Sequence, residues 1–234
     1  MTLIQTEPKS IKIWTTDIKR VTIRPNGTEK QIRPAWWQPW ANTVAYYPLN
    51  STDTFYDKSW NNRNLTVYQT PVYQSNYTDL TNWCFAIPNL TYSTCTVSFR
   101  CKRNWTQTWR ALVDMVSSNT FIRYRYGTNW YTNFQKGLPS WSWEQSLTND
   151  INRHLYTVTN NSSNCLVYLD ETLKYTLSSF GTQTAAWSRI GTGRNGTSTN
   201  NPNIYVSEFI IEDKVRTAQE IADYYNQTKW NYWL

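Results

Sequence analysis

The chain of 234 residues has a single histidine, His154, so any Ser-His-Asp or Cys-His arrangement would have to use it. Its four cysteines, Cys84, Cys95, Cys101 and Cys165, form no Cys-x-x-Cys pair and no zinc-type spacing. Neither a catalytic transition metal nor a cofactor is expected from such a set. Cys95 and Cys101 fall on one extended segment, about 20 Å apart at about 3.3 Å per residue, and cannot bridge each other. Reduced, partly buried thiols are expected. No run approaches the roughly 20 apolar residues of a membrane span, so membrane insertion is not expected. The opening MTLIQTEPKSIK lacks the basic and apolar regions of a secretory signal, which predicts synthesis in a cytosol. Sequons such as Asn26, Asn64, Asn89 and Asn195 then read as a by-product of Asn/Thr richness. Only seven glycines occur, so turns must be built mainly from Asn, Ser and Thr.

Paired carboxylates at the spacing of a glycosidase are also missing. A Glu-x-Asp-x-Glu strand would aim three carboxylates into one cleft, and none is present. The adjacent pairs Asp170-Glu171 and Glu212-Asp213 read as turn acids, since neighbours on a strand face opposite sides. The glycine-rich stretch 191–196 follows a short strand but opens no helix, which excludes a dinucleotide loop. The chain is therefore expected to have no catalytic residues and not to be an enzyme.

What is present is aromatic: 14 Trp, 17 Tyr and 7 Phe, 16% of the chain. One core of this size does not absorb so many rings, and some should be exposed for stacking. Alternating runs predict strands at 95–101, 110–116, 121–126, 130–134, 155–159, 165–169 and 204–211, with no helices between them. That pattern implies antiparallel sheets in an all-β, two-layer sandwich. One short helix is predicted near the C-terminus, where Thr217 and Glu220 form a capping box, Ile221, Tyr224 and Tyr225 face inward, and Asn226 can end the helix.

Charge divides the chain further. Residues 1–34 hold seven Lys/Arg against three Asp/Glu, residues 100–125 six against one, and the rest is slightly acidic. Such patches suit anionic partners or serve as solvated faces. Residues 1–34 read as an N-terminal β-hairpin arm, with Asn26-Gly27 supplying the turn. Lys12, Trp14, Lys19, Arg20 and Arg24 are its candidate anchoring residues. Residues 35–40 form a Pro-flanked linker whose Trp36, Trp37 and Trp40 are candidates to clamp the arm to the sandwich domain at 41–234.

The stretch TVAYYPLNSTDTFYDKSWNNRNLTV, residues 43–67, resembles the opening of laminin G-like, concanavalin A-like jelly rolls: a strand, Asp57, a polar turn and a second strand. Later segments keep the family order. Residues 94–100 resemble its Thr-Ile-Ser-Phe strand and 154–158 its Trp-His strand. Residues 167–170 resemble its Leu-Tyr-Val-Asp-Gly hairpin with Glu171 where glycine is usual, and 189–191, 204–211 and 217–225 resemble its closing strands and helix. The resemblance implies a lectin-like jelly roll, a structural place for His154, and a rim where such domains can hold calcium. One Asp and two Asn at Asp57 to Asn62 are too few ligands, so no metal is assigned.

Residues 121–143 combine rings with cations. Arg123 and Arg125 share a strand face, and Tyr126, Trp130, Trp141 and Trp143 follow, a mixture suited to carbohydrate. The expectation is that the tryptophans stack on sugar while the arginines meet anionic groups. Core aromatics with a solvated arginine face are the alternative. Nucleic acid is a less expected partner, because no RNP-like or zinc pattern supports it. A jelly roll with a basic arm and an aromatic tail also resembles bacteriophage fibre, spike or capsid decoration proteins. That resemblance implies a non-catalytic homo-oligomer on a virion surface, joined to other virion proteins by the arm and bound to host-surface glycan. A purely structural decoration protein without glycan binding, or a bacterial surface adhesin, stays open.

Overall fold

The computed structural model describes residues 21–23, 30–32, 42–49, 55–59, 61–68, 71–73, 77–80, 84–103, 111–116, 121–126, 132–138, 141–148, 152–184, 188–191 and 204–231. The chain divides into two compact units, Met1–Trp40 and Ala41–Leu234. In the first, strands β1 (Val21–Ile23) and β2 (Lys30–Ile32) pair antiparallel, with Ile23 opposite Lys30. That register brackets Asn26-Gly27, as a hairpin about this dipeptide requires.

The second unit opens with β3 (Thr43–Tyr47), β4 (Thr66–Tyr68), β5 (Val72–Tyr73), β6 (Thr78–Asp79), β7 (Cys84–Ala86) and β8 (Thr91–Tyr92). Longer strands follow: β9 (Cys95–Arg103), β10 (Ala111–Val116), β11 (Phe121–Tyr126), β12 (Thr132–Leu138) and β13 (Trp141–Thr148). The chain continues through β14 (Arg153–Asn160), β15 (Asn164–Leu169), β16 (Thr172–Ser178), β17 (Gln183–Thr184), β18 (Arg189–Ile190) and β19 (Ile204–Glu212). Helix α1 (Ala218–Thr228) and a 3-10 turn, Lys229–Asn231, close the described chain.

Two antiparallel sheets make the layers. One has seven strands in the order β13-β12-β11-β10-β18-β7-β4; the other runs β16-β15-β14-β9-β19-β6-β5, with β3 also paired to β19. One hydrophobic core joins them, taking Phe85, Val113, Phe134, Leu147 and Ile190 from the first and Val97, Phe99, Val158, Val167, Phe209 and Ile211 from the second. Each fully buried side chain of this kind contributes about 1.5–3 kcal/mol. Strand alternation explains the selection. On β9, Cys95, Val97, Phe99 and Cys101 face the core, whereas Thr96, Ser98 and Arg100 face out. On β19 a bulge between Val206 and Glu208 shifts the alternation, so Val206 and Phe209 both reach the core.

Helix α1 starts at the predicted box: the Thr217 side chain accepts from the Glu220 amide and the Glu220 side chain accepts from the Thr217 amide. It runs to Thr228, two residues beyond the stop expected at Asn226, because Asn226 stays helical and its side chain donates to the Ala222 carbonyl. Tyr224 packs with Leu155 and Ile210 on the outward face of the eight-stranded sheet, beside Tyr46 and Tyr225. The same packing overturns the reading of Glu212 as a turn acid. It is the last residue of β19, fully buried and paired with Arg216. All four cysteines are buried and outside any disulfide.

Candidate functional site

Strands β10 to β13 carry the expected sugar-binding residues, and their register decides which can act together. Buried Val113, Phe134 and Leu147 mark the positions facing the core, and exposed Ser146 marks the outer face. Tyr124 stands opposite Phe134, so Arg123 and Arg125 occupy outer-face positions. Arg123 is opposite Asp114 on one side and Gln135 on the other, and Gln135 is opposite Glu144. Asp114 in turn stands opposite Arg189, which is half-buried. A polar row of alternating charge therefore crosses five strands, with Arg125, Asn133 and Ser146 in the next row.

The tryptophans belong to the other face. Trp141 is opposite Leu138 and Trp143 opposite Lys136, in the alternation that includes Phe134 and Leu147. Tyr126 shares that face through its place in β11. The expected single surface of Trp141 and Trp143 with Arg123 and Arg125 is thus divided by the pleat, because side chains of opposite parity leave opposite sides of a sheet. Pairing, not composition, was the missing signal: the sequence showed the arginine spacing but not that Asp114, Gln135, Glu144 and Arg189 stand level with it. Trp130 lies outside the described residues, as do Lys12, Trp14, Lys19, Arg20, Arg24, Trp36, Trp37 and Trp40.

The Asp57 turn is closed upon itself. Its Oδ1 accepts from the amides of Tyr46 at 2.9 Å and Ser59 at 2.8 Å, while Oδ2 accepts from the Ser59 hydroxyl at 2.7 Å and the Arg63 amide at 2.9 Å. Asn61 Nδ2 donates to the carbonyls of Thr43 and Val44, and Asn64 Oδ1 accepts from the Asp57 amide. Asn62 takes positive φ, 53°, a conformation Asn tolerates better than most residues. These oxygens and amides fasten the loop to β3. No group of three or more His, Cys, Asp or Glu arranged to hold a metal ion occurs among the described residues.

His154 is half-buried on β14, its Nδ1 2.8 Å from Asp170 Oδ2. The other Asp170 oxygen accepts from the Leu155 amide at 2.9 Å, and the Asp170 amide donates to the Leu155 carbonyl at 2.7 Å. This carboxylate fixes the β15–β16 turn, where the positive φ, 56°, falls on Asp170 itself. Glu171 therefore fits where the family pattern has glycine. The His–Asp pair braces a hairpin.

The architecture is that of a two-layer all-β sandwich. No family model and no curated protein matches the sequence. Among solved structures, domain 4 of AbnA, a GH43 extracellular arabinanase from Geobacillus stearothermophilus in complex with arabinotriose, is similar over 78% of this chain and 98% of that one, at 14% identity and TM-score 0.67. The receptor binding domain of botulinum neurotoxin D is similar over 80% of this chain and 53% of its own, at 14% identity and TM-score 0.63. A serotype D ligand binding domain in complex with N-acetylneuraminic acid matches 80% of this chain and 51% of its own, at 15% identity and TM-score 0.59. The chain thus spans about half the length of the neurotoxin domains. At these identities the likeness defines the fold.

Proposed function

We propose that this protein is a non-catalytic glycan-binding β-sandwich whose contact surface is the outer face of β10 to β13. The observation carrying the proposal is the row Asp114, Arg123, Gln135 and Glu144, which sets donors and acceptors side by side at strand spacing, about 4.8 Å. Residues bearing guanidinium, amide and carboxylate groups at neighbouring positions of one face suit adjacent sugar hydroxyls. Two of the similar folds support the reading, being solved with arabinotriose and with N-acetylneuraminic acid. Arg123 and Arg125 are the proposed sugar contacts, whereas Tyr126, Trp141 and Trp143 occupy positions of the opposite face.

The finer placement belongs to the same proposal: a homo-oligomeric virion surface protein, held to other virion proteins through Met1–Trp40 and presenting the sandwich to host glycan. Its support is that Met1–Trp40 forms a compact unit of its own and that Lys/Arg are in excess in residues 1–34. Truncation of residues 1–34 should abolish assembly and leave the sandwich folded. Assembly that survives truncation contradicts the anchoring role. For the glycan surface, Gln135→Ala and Arg123→Ala should each weaken binding about tenfold without changing the melting temperature. Unchanged affinity in both folded variants contradicts it.

A further inference from the structure

A second row, on the outward face of the eight-stranded sheet beyond helix α1, carries a different chemistry. The register aligns Val72, Asp79, Tyr205, Lys102 and Arg153 across β5, β6, β19, β9 and β14. Arg100, two residues before Lys102 on the same face, has Glu208 as its cross-strand counter-charge. Lys102 and Arg153 are directly opposite each other. The carboxylate of this row, Asp79, stands on the far side of Tyr205.

The tyrosines complete the patch. The Tyr77 and Tyr205 rings are 4.5 Å apart and tilted by 40°, and the Arg153 guanidinium carbon lies 5.6 Å from the Tyr77 ring centre. Tyr77, Tyr205, Lys102, Arg153 and Asp79 are all half-buried, with exposed Val72 at the margin. Solvent therefore reaches the rings and the charges together.

We propose that this patch is a second binding site, for a carboxylate-bearing sugar. The cations at one end receive the carboxylate, the tyrosine rings receive the apolar face of the sugar ring, and Asp79 at the other end accepts from hydroxyls. From Asp79 to Arg153 the row spans three strand spacings, about 14 Å, enough for an acidic sugar and a neighbour. The polarity favours a saccharide over a phosphodiester chain, since Asp79 would repel a uniform polyanion. The site is on the opposite sheet from the one proposed above and stands without it.

The test is calorimetric titration of the full chain with an oligogalacturonate, a sialyl-oligosaccharide, a neutral arabino-oligosaccharide and single-stranded DNA. Lys102→Gln, Tyr205→Ala and Arg123→Ala are compared with the parent protein, and melting is monitored for each. The expected result is saturable binding of an acidic saccharide that is about tenfold weaker in Lys102→Gln, with any binding of the neutral saccharide unchanged by that substitution. If Tyr205→Ala fails to fold, Lys102→Gln decides. Acidic-sugar binding that survives Lys102→Gln, or that is lost in Arg123→Ala instead, overturns this site and leaves the glycan-binding reading intact. Binding of neutral sugar alone does the same. DNA binding that Lys102→Gln weakens, with no acidic sugar bound, reassigns the patch and overturns the proposal. Absence of binding to every saccharide contradicts both readings.

Discussion

Arg100 and Glu208 stand directly opposite each other on β9 and β19, each about 1% exposed, with Nε 3.1 Å from Oε1. Helix α1 closes over them: the Tyr224 hydroxyl donates to Glu208 Oε2 at 2.7 Å, and Arg100 Nη2 donates to Thr228 Oγ1 at 2.8 Å. The helix is therefore fixed by a buried polar network as well as by Leu155, Ile210 and Tyr224.

Breaking this pair by removing one member strands the other charge. Glu208→Ala or Arg100→Ala should cost about 3–5 kcal/mol. Tyr224→Phe removes one hydrogen bond to a charged group and should cost about 2 kcal/mol. Urea unfolding of the three variants measures this; equal, small losses would contradict the network.

Glu212 gives a pH dependence. Burial raises its carboxyl above the ordinary glutamate value, against the lowering effect of Arg216. The folded state therefore keeps this proton to higher pH than the unfolded state does. Stability contributed by Glu212 is fully present below the unfolded value, near pH 4.3, and is lost as pH rises through the raised folded value. The slope should not exceed about 1.4 kcal/mol per pH unit. Glu212→Gln, which keeps the position neutral at every pH, should flatten that slope. Denaturant titration across this range checks both slopes.

Asp57 offers a contrast between a structural loop and a calcium rim. Its carboxylate accepts from three backbone amides and one hydroxyl. Asp57→Ala should destabilise the fold by a few kcal/mol, at about 1–3 kcal/mol for each buried donor left unsatisfied. A chelator should leave the melting temperature of the parent protein unchanged. A large fall on chelation would mean that an ion, and not these donors, holds the loop.

Trp141→Ala and Trp143→Ala should lower the melting temperature more than they weaken sugar binding, because their positions share the alternation of Phe134 and Leu147. Calorimetry and glycan titration on the same variants separate the two effects. Lost binding at unchanged melting would return these rings to the contact surface.

The sandwich was legible because alternation and capping are local. Predicted strand 121–126 coincides with β11, and the Thr217–Glu220 box opens α1 as read. Strand β13 was not anticipated, since its run WSWEQSLT begins just after Pro139 and follows a turn-like Leu-Pro-Ser. The division of the candidate site was hidden for a different reason. Parity within β11 can be read from the sequence, but the facing of β13 relative to β11 depends on the length and geometry of two intervening turns. The buried acids were hidden likewise: Glu208 and Glu212 look solvent-facing until Arg100, Arg216 and the helix are placed over them.

The central claim is tested most directly by titrating the purified protein against a panel of surface polysaccharides that includes arabinan and sialylated glycans, at low and high salt. Saturable binding that persists in high salt is predicted. Failure to bind any member, or binding that vanishes with salt, would contradict the account.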